Sequence, residues 1–124
     1  MTIYLAGKIT GNPDYETDFE AAERALTEAG ESVMNPAILP FGWGWDSYME
    51  ITLTMMRECD VICMLPNWMS SRGARRELMS ALALGKRVMK YSDFIAEGKV
   101  RFLRIEEAAA MLAVAYMRAE EERK

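Results

Sequence analysis

One unbroken apolar segment, residues 61–65, constrains the fold of this chain more than any other feature of the sequence. It follows directly after Asp60 and is bounded by Pro66. A strand that is apolar along its whole length is typical of the centre of a parallel sheet, where helices cover both faces. The segment therefore predicts a buried central strand and, with it, helices on both sides of a sheet.

The rest of the chain alternates between strand and helix patterns. Further short apolar runs predict strands at residues 3–6, 31–34, 87–91 and, as a shorter fifth strand, 100–103. Apolar residues spaced three or four apart predict helices at about 13–29, 46–59, 74–84 and 105–116. We expect Asn12 and Asp46 to cap the first two helices. The alternation predicts a three-layer α/β/α fold, flavodoxin- or Rossmann-like, with a four- to five-stranded mainly parallel sheet of strand order about 2-1-3-4-5.

Length, composition and charge narrow the class of protein. The 124 residues, 51% of them hydrophobic, predict a single domain over residues 1–124, with 119–124 as a frayed, charged tail. No apolar stretch approaches the ~20 residues of a membrane span, and the chain starts with a strand pattern and not a signal peptide, so we expect a cytoplasmic location. The net charge of −4 argues against binding a nucleic-acid polymer, although a small nucleotide can still bind at a local positive spot.

The reactive side chains are few in kind. The chain has no histidine, which removes the most common general base. Its two cysteines, Cys59 and Cys63, fit buried packing positions, and their spacing does not fit a zinc site. Catalysis must therefore fall to carboxylates, tyrosine, lysine or serine, and we expect no metal and no cofactor.

Three unusual loops follow the first three predicted strands, at residues 7–11, 35–45 and 66–73. In a parallel α/β sheet, ligands bind beyond the carboxyl ends of the strands, at the point where the strand order reverses. We therefore expect these three loops to converge on a ligand site.

The first of these loops is bounded by glycines and reads Gly7-Lys8-Ile9-Thr10-Gly11. Glycine permits close backbone approach to a ligand, and the lysine adds positive charge. The loop is neither a P-loop nor a G-x-G-x-x-G dinucleotide motif. The alternative, which this loop taken alone favours, is an ordinary strand-to-helix turn.

The second loop carries the aromatic residues Phe41, Trp43 and Trp45. At about eleven residues it is long for a compact α/β connection, and loops of this length are often functional. The aromatic side chains either stack on a base or sugar, or cover the edge of the core, or face a partner subunit.

Glu77 is the most informative carboxylate. It lies three residues after Ala74 and four before Ala81, which places it at the edge of the apolar face of the third helix, near the helix start. We expect the helix dipole to keep it ionised. An ionised, partly desolvated carboxylate facing a cleft is what a glycosidic nucleophile requires. The alternatives are that Glu77 pairs with Arg72 or Lys86, or that it faces solvent.

Ser71 lies in the loop that opens the same helix. Its hydroxyl and the N–H groups of Gly73 and Ala74 can hold an anion at the helix start. Simple capping of the helix by Ser70 or Ser71 is the alternative, and both interpretations use the same N–H groups.

Taken together, these segments resemble the nucleoside 2-deoxyribosyltransferase-like superfamily over about residues 2–90. The motifs that carry the resemblance are Ile3-Tyr4-Leu5-Ala6-Gly7, Ile9-x-Gly11, Asn35-Pro36-Ala37, Cys59-Asp60-Val61-Ile62, Ser71-x-Gly73-Ala74-x-x-Glu77 and Gly85-Lys86-Arg87-Val88. The chain looks most like an uncharacterised phage- or prophage-associated branch, with the further motifs Pro13-Asp14-Tyr15, Trp45-x-x-Tyr48-Met49 and Leu65-Pro66-x-x-Trp68. The first loop is also similar to that of deoxynucleoside 5′-monophosphate N-glycosidases.

The resemblance implies roles for individual residues. Glu77 matches the glutamate that attacks the anomeric carbon, and Tyr4 matches the tyrosine that positions this carboxylate. Ser71 matches a serine that touches a 5′-phosphate in the monophosphate hydrolases, and Lys8 to Gly11 match residues near the phosphate or ribose. Active sites in the superfamily are shared between subunits, which implies a homodimer or larger homo-oligomer.

The sequence departs from the superfamily at Thr52, where catalytic members usually have an aspartate. Glu50 or Asp46 can replace that carboxylate only from a different register. Lys8 and Thr10 stand where the monophosphate hydrolases have the serine and arginine that bind phosphate. These departures keep open a non-catalytic module that captures a nucleotide or nucleotide-derived signal. A protein-interaction role for the tryptophan-rich loop is a third possibility.

We therefore predict cleavage or transfer at the N-glycosidic bond of a small-molecule (deoxy)nucleoside or nucleoside 5′-monophosphate. The predicted catalytic residues are Glu77 and Tyr4. The predicted substrate-binding residues are Gly7, Lys8, Ile9, Thr10, Gly11, Asn35, Trp43, Trp45, Ser71, Gly73 and Ala74.

Overall fold

The protein is built on one four-stranded, all-parallel sheet. The computed structural model describes residues 1–40 and 42–123. The sheet has the order β2-β1-β3-β4, and its strands are β1 (Thr2–Ala6), β2 (Ser32–Met34), β3 (Val61–Met64) and β4 (Arg87–Lys90). Every residue of β3 is buried, as the apolar segment at 61–65 predicts. The predicted α/β class and the strand order through the fourth strand are confirmed.

Helices cover both faces of this sheet and complete the three layers. They are α1 (Tyr15–Glu28), α2 (Trp45–Arg57), α3 (Arg72–Ala83), α4 (Tyr91–Glu97) and α5 (Ile105–Glu122). One core contains buried residues of α1 and α4, and the other contains buried residues of α2, α3 and α5. Within the described part of the chain, no helix is both long and apolar enough to cross a membrane.

Alternation along β1 sends its side chains to opposite faces of the sheet. Ile3 and Leu5 join the core under α1 and α4. Tyr4 and Ala6 join the core under α2, α3 and α5. The aromatic ring of Tyr4 is therefore on the face where α3 lies.

The predicted fifth strand is wrong. Residues 100–103 form no strand, although the N–H of Leu103 donates to the carbonyl of Val88 at 2.8 Å. The guanidinium of Arg101 instead binds carboxylates of α4, those of Asp93 at 2.8 Å and Glu97 at 3.2 Å. These contacts tie the segment to α4, and among the described residues the hydrogen bond from Leu103 to Val88 is not repeated along it, so no strand ladder forms.

The fourth strand also ends earlier than predicted, at Lys90 and not at Tyr91. Tyr91 already begins α4, a helix of seven residues that the sequence pattern did not predict. Gly98 closes this helix in the left-handed conformation, with φ 72°.

Three helix starts differ from prediction. The side chain of Asn12 accepts from the N–H of Asp14 at 3.1 Å and donates to the carbonyl of Lys8 at 3.0 Å. Asn12 therefore organises the turn, and α1 begins at Tyr15.

The second helix is capped by Gly44, and not by the predicted Asp46, because α2 already begins at Trp45. The third helix begins two residues earlier than predicted, at Arg72, because Ser71 caps it.

Candidate active site

The loops that follow β1, β2 and β3 converge on a cavity of about 720 Å³. It lies at the carboxyl edge of the sheet, where the strand order reverses between β1 and β3. The predicted site residues that line it are Tyr4, Gly7, Ile9, Thr10, Trp43, Trp45, Ser71, Gly73, Ala74 and Glu77. Three predicted site residues, Lys8, Gly11 and Asn35, are not part of its lining.

Glu77 is buried at this cavity, with 6% of its surface exposed. The hydroxyl of Tyr4 donates a hydrogen bond to Oε2 of Glu77. Lys86 does not pair with it, because its ammonium donates to the carbonyl of Arg57 at 2.8 Å. The structure thus excludes the solvent-facing alternative and joins β1 to α3 through the two predicted catalytic residues.

Burial governs the protonation of this pair. Loss of hydration raises the pKa of Glu77 from 4.5 to about 7, and hydrogen bonds from Tyr4 and Thr52 offset part of that effect. Burial and the neighbouring carboxylate raise the pKa of Tyr4 well above its ordinary value, so its hydroxyl stays protonated and donates. The expectation that the helix dipole keeps Glu77 ionised is incomplete, since the residue lies in the second turn of α3, beyond the strongest part of the dipole.

Thr52 lies beside Tyr4 and Glu77. It stands at the position where an aspartate is usual in the superfamily that the sequence resembles. It is 3% exposed and lines the cavity. The two carboxylates suggested as replacements, Asp46 and Glu50, are exposed and are not among the lining residues. Of the described lining residues, Glu77 is therefore the only carboxylate.

Close packing explains the first glycine of the β1 loop. A Cβ atom on Gly7 would come within 3.0 Å of the Cβ of Leu65 and 3.2 Å of Cζ of Phe19. Gly7 therefore lets the loop leave the sheet beside β3. The backbone N–H of Lys8 donates to Asn67 at 3.2 Å, and Gly11 forms the turn with φ 80°.

The second loop divides into a structural and a cavity-facing part. Asn35 is buried, and its side chain accepts from the N–H of Ala37 at 2.8 Å and donates to Glu23 at 3.0 Å. Asn35 therefore holds the loop and lines a neighbouring cavity. Trp43 and Trp45 line the main cavity. Phe41 lies outside the described residues.

The sequence interpretation did not include Arg72 among the site residues. Its Cζ lies 3.8 Å from the ring centre of Trp45, and it lines the cavity. The sequence feature that could have identified Arg72 is its position between Ser71 and Gly73, two predicted site residues. The other unpredicted lining residues are Leu5, Tyr15, Phe19, Pro36, Gly42, Tyr48, Met49, Thr52 and Ser70.

Comparison with known families gives one match. The family described as "Domain of unknown function (DUF4406)" matches residues 1–90, which include every predicted site residue. No curated protein matches the chain.

Solved structures of nucleoside- and nucleotide-processing enzymes share this fold. A 2-deoxyribosyltransferase from Bacillus psychrosaccharolyticus has a TM-score of 0.57 and 22% identity, over 73% of this chain and 71% of that one. A 2-deoxyribosyltransferase from Leishmania mexicana has a TM-score of 0.56 and 28% identity, over 72% of this chain and 62% of that one. The CMP N-glycosidase BcmB from Clostridium botulinum has a TM-score of 0.55 and 22% identity, over 73% of this chain and 70% of that one.

Proposed function

This chain belongs to the DUF4406 family, and we propose that it cleaves or transfers at the N-glycosidic bond of a (deoxy)nucleoside or nucleoside 5′-monophosphate. The observation that carries the proposal is the buried Glu77 carboxylate, which faces the cavity and accepts a hydrogen bond from Tyr4. The named activities of the structures that share the fold, deoxyribosyl transfer and CMP N-glycoside cleavage, support an enzyme of this type.

In the proposed reaction, an oxygen of Glu77 attacks the anomeric carbon of the sugar. The bond between that carbon and the base nitrogen breaks, and the base leaves with the electron pair and takes up a proton. The sugar remains as an ester of Glu77. Attack by water on the anomeric carbon gives the free sugar, whereas attack by a second base gives a new nucleoside, and either step restores the carboxylate.

The neighbouring residues support this chemistry in distinct ways. Tyr4 fixes one carboxylate oxygen of Glu77 and so orients the other for attack. Trp43 offers an aromatic face on which a base can stack, whereas Trp45 lines the cavity beneath the guanidinium of Arg72. Ser71 and Gly73 lie at the start of α3, where N–H groups favour the 5′ end of an anionic substrate.

A base-release assay tests the proposal. The protein is incubated with the four common deoxynucleosides and their 5′-monophosphates, and free base is separated by chromatography. We expect release by the wild type and a loss of at least about 1000-fold in Glu77→Ala, because the attacking atom is gone. Glu50→Ala removes an exposed carboxylate outside the cavity and is expected to retain activity.

The same experiment includes the competing function. Thr52 in place of a second carboxylate favours a module that binds a nucleotide without turnover. Tight binding of a monophosphate with no base released would support that module and reject the enzyme. Absence of both binding and release would reject both functions.

We also propose that the chain forms a homodimer or larger homo-oligomer. Large apolar side chains are exposed at both cavities: Trp43, which lines the main cavity, is 43% exposed, and Ile38, which lines the neighbouring one, is 76% exposed. Light scattering is expected to give a mass of two or more chains, and a mass of one chain at micromolar concentration would contradict this proposal.

A further inference from the structure

Arg72 gives the cavity a positive charge at a defined place. Among the described residues that line the cavity, it is the only cation, as Glu77 is the only carboxylate. Lys8, which the sequence suggested as the source of positive charge, is not part of the lining. Glu77 follows Arg72 by five positions in α3, so their backbone positions lie about 7.5 Å apart along the helix axis.

The contact with Trp45 holds the guanidinium but leaves its hydrogen-bond donors free. Arg72 lies over the ring with its Cζ 3.8 Å from the centre, which is a cation–π contact with the flat face of the indole. No described carboxylate or carbonyl accepts a hydrogen bond from its side chain. Guanidinium donors lie in the plane of the group and match two oxygens of a phosphate.

Further donors lie beside this guanidinium at the start of α3. The hydroxyl of Ser71 accepts from the N–H of Ala74 at 3.1 Å and keeps its own proton for donation. The N–H groups of Arg72 and Gly73 have no acceptor among the described residues, as expected for the first turn of a helix. Arg72 thus completes a set of donors that a helix start alone does not provide.

We infer that Arg72 is a specificity-determining residue, which binds the 5′-phosphate of a phosphorylated substrate and selects it over the free nucleoside. This inference rests on the proposed function, since Glu77 then marks the anomeric carbon. In a nucleoside 5′-monophosphate, the phosphate and the anomeric carbon lie at opposite ends of the sugar. Arg72 and Glu77 likewise lie at different positions along α3, and both line the same cavity. A phosphate brought near the Glu77 carboxylate also needs the compensating charge that Arg72 supplies.

Arg76 provides a matched control on the same helix. Its Cζ lies 5.7 Å from the centre of the same Trp45 ring, and it is exposed, as Arg72 is. It is not among the residues that line the cavity. Removing Arg76 therefore removes the same charge from the same helix without removing the proposed phosphate contact.

The test measures binding and turnover in parallel. Glu77→Gln removes the nucleophile, and calorimetry in this background gives the Kd of the four deoxynucleoside 5′-monophosphates and the four deoxynucleosides. Adding Arg72→Gln is expected to weaken monophosphate binding about 10- to 100-fold and to leave nucleoside binding unchanged. Adding Arg76→Gln is expected to change neither. In proteins with Glu77 intact, the same pattern is expected in kcat/KM.

The outcomes separate this inference from the proposed function. Base release that Arg72→Gln leaves unchanged, or lowers equally for monophosphates and nucleosides, overturns the inference while the proposed function stands. Monophosphate binding that depends on Arg72, without base release by any protein, supports the inference and rejects the glycosidic reaction. If the Glu77→Gln protein binds no monophosphate, the inference is overturned.

Discussion

Replacing Glu77 with glutamine is expected to stabilise the folded protein by roughly 3 kcal/mol at pH 8, while abolishing base release. The reason is that folding buries a carboxylate that is charged at this pH. Burial raises the pKa of Glu77 from 4.5 to about 7, so ionising it in the folded protein takes more free energy than in the unfolded chain. Glutamine has nearly the same shape and stays neutral.

The sign of the effect sets its pH dependence. Below pH 4.5, Glu77 is protonated in both the folded and the unfolded chain, and wild type and variant are expected to differ little. Between pH 4.5 and about 7, only the unfolded chain loses the proton, so the stability of the wild type falls as pH rises. Above pH 7 the full difference is present.

Urea unfolding at pH 5 and pH 8 measures this difference. Glu50→Gln is the control, because it removes an exposed glutamate from a helix and is expected to change the free energy of unfolding by less than about 0.5 kcal/mol at either pH. An equal effect of Glu77→Gln at both pH values would contradict the prediction. It would show that packing, and not ionisation, accounts for the difference in the free energy of unfolding between glutamate and glutamine at this position.

Replacing Tyr4 with phenylalanine is expected to move the acid limb of the pH–rate profile to higher pH by about one to two pH units. The Tyr4 hydroxyl donates to the Glu77 carboxylate, and this bond lowers the pKa of Glu77. A nucleophilic carboxylate must be ionised, so base release by the wild type should rise with pH through about 7. Without the hydroxyl, ionisation requires a higher pH.

The profile of kcat/KM from pH 5 to 9 measures this shift. At pH 6, Tyr4→Phe is expected to be about 10- to 100-fold slower than the wild type, and the gap should narrow above pH 8. Tyr91 is not among the residues that line the cavity, so Tyr91→Phe should keep the wild-type profile. A loss of the same size at every pH would contradict the prediction, and would indicate that Tyr4 acts by orientation or packing and does not set the pKa of Glu77.

Local patterns were sufficient to predict the main elements of the fold. The apolar segment at 61–65 identified β3, and the alternation of elements identified the parallel sheet and its switch point. The strand pattern at 100–103 failed, because apolar content alone does not show whether a segment pairs with the sheet or is held by ion pairs to a helix. The short helix α4 has too few turns to produce a clear period.

The site required contacts that the sequence spacing does not contain. Glu77 was placed at a helix edge by its spacing, but its burial depends on residues far away in the chain, and Tyr4 lies 73 positions before it. Asn35 belongs to a motif, yet its side chain is used to hold the loop. Arg72 was weighed only as an ion-pair partner, because its stacking on Trp45 depends on how α2 and α3 pack together.

The placement of Tyr4 and Glu77 on regular elements has a consequence for how such a domain diversifies. Tyr4 belongs to β1 and Glu77 to α3, and both elements are anchored in the core, whereas Trp43 lies in a connecting loop. Loops accept insertions and substitutions that strands and helices do not. A descendant of this domain can therefore exchange the surface that recognises its base while it inherits the reacting pair unchanged.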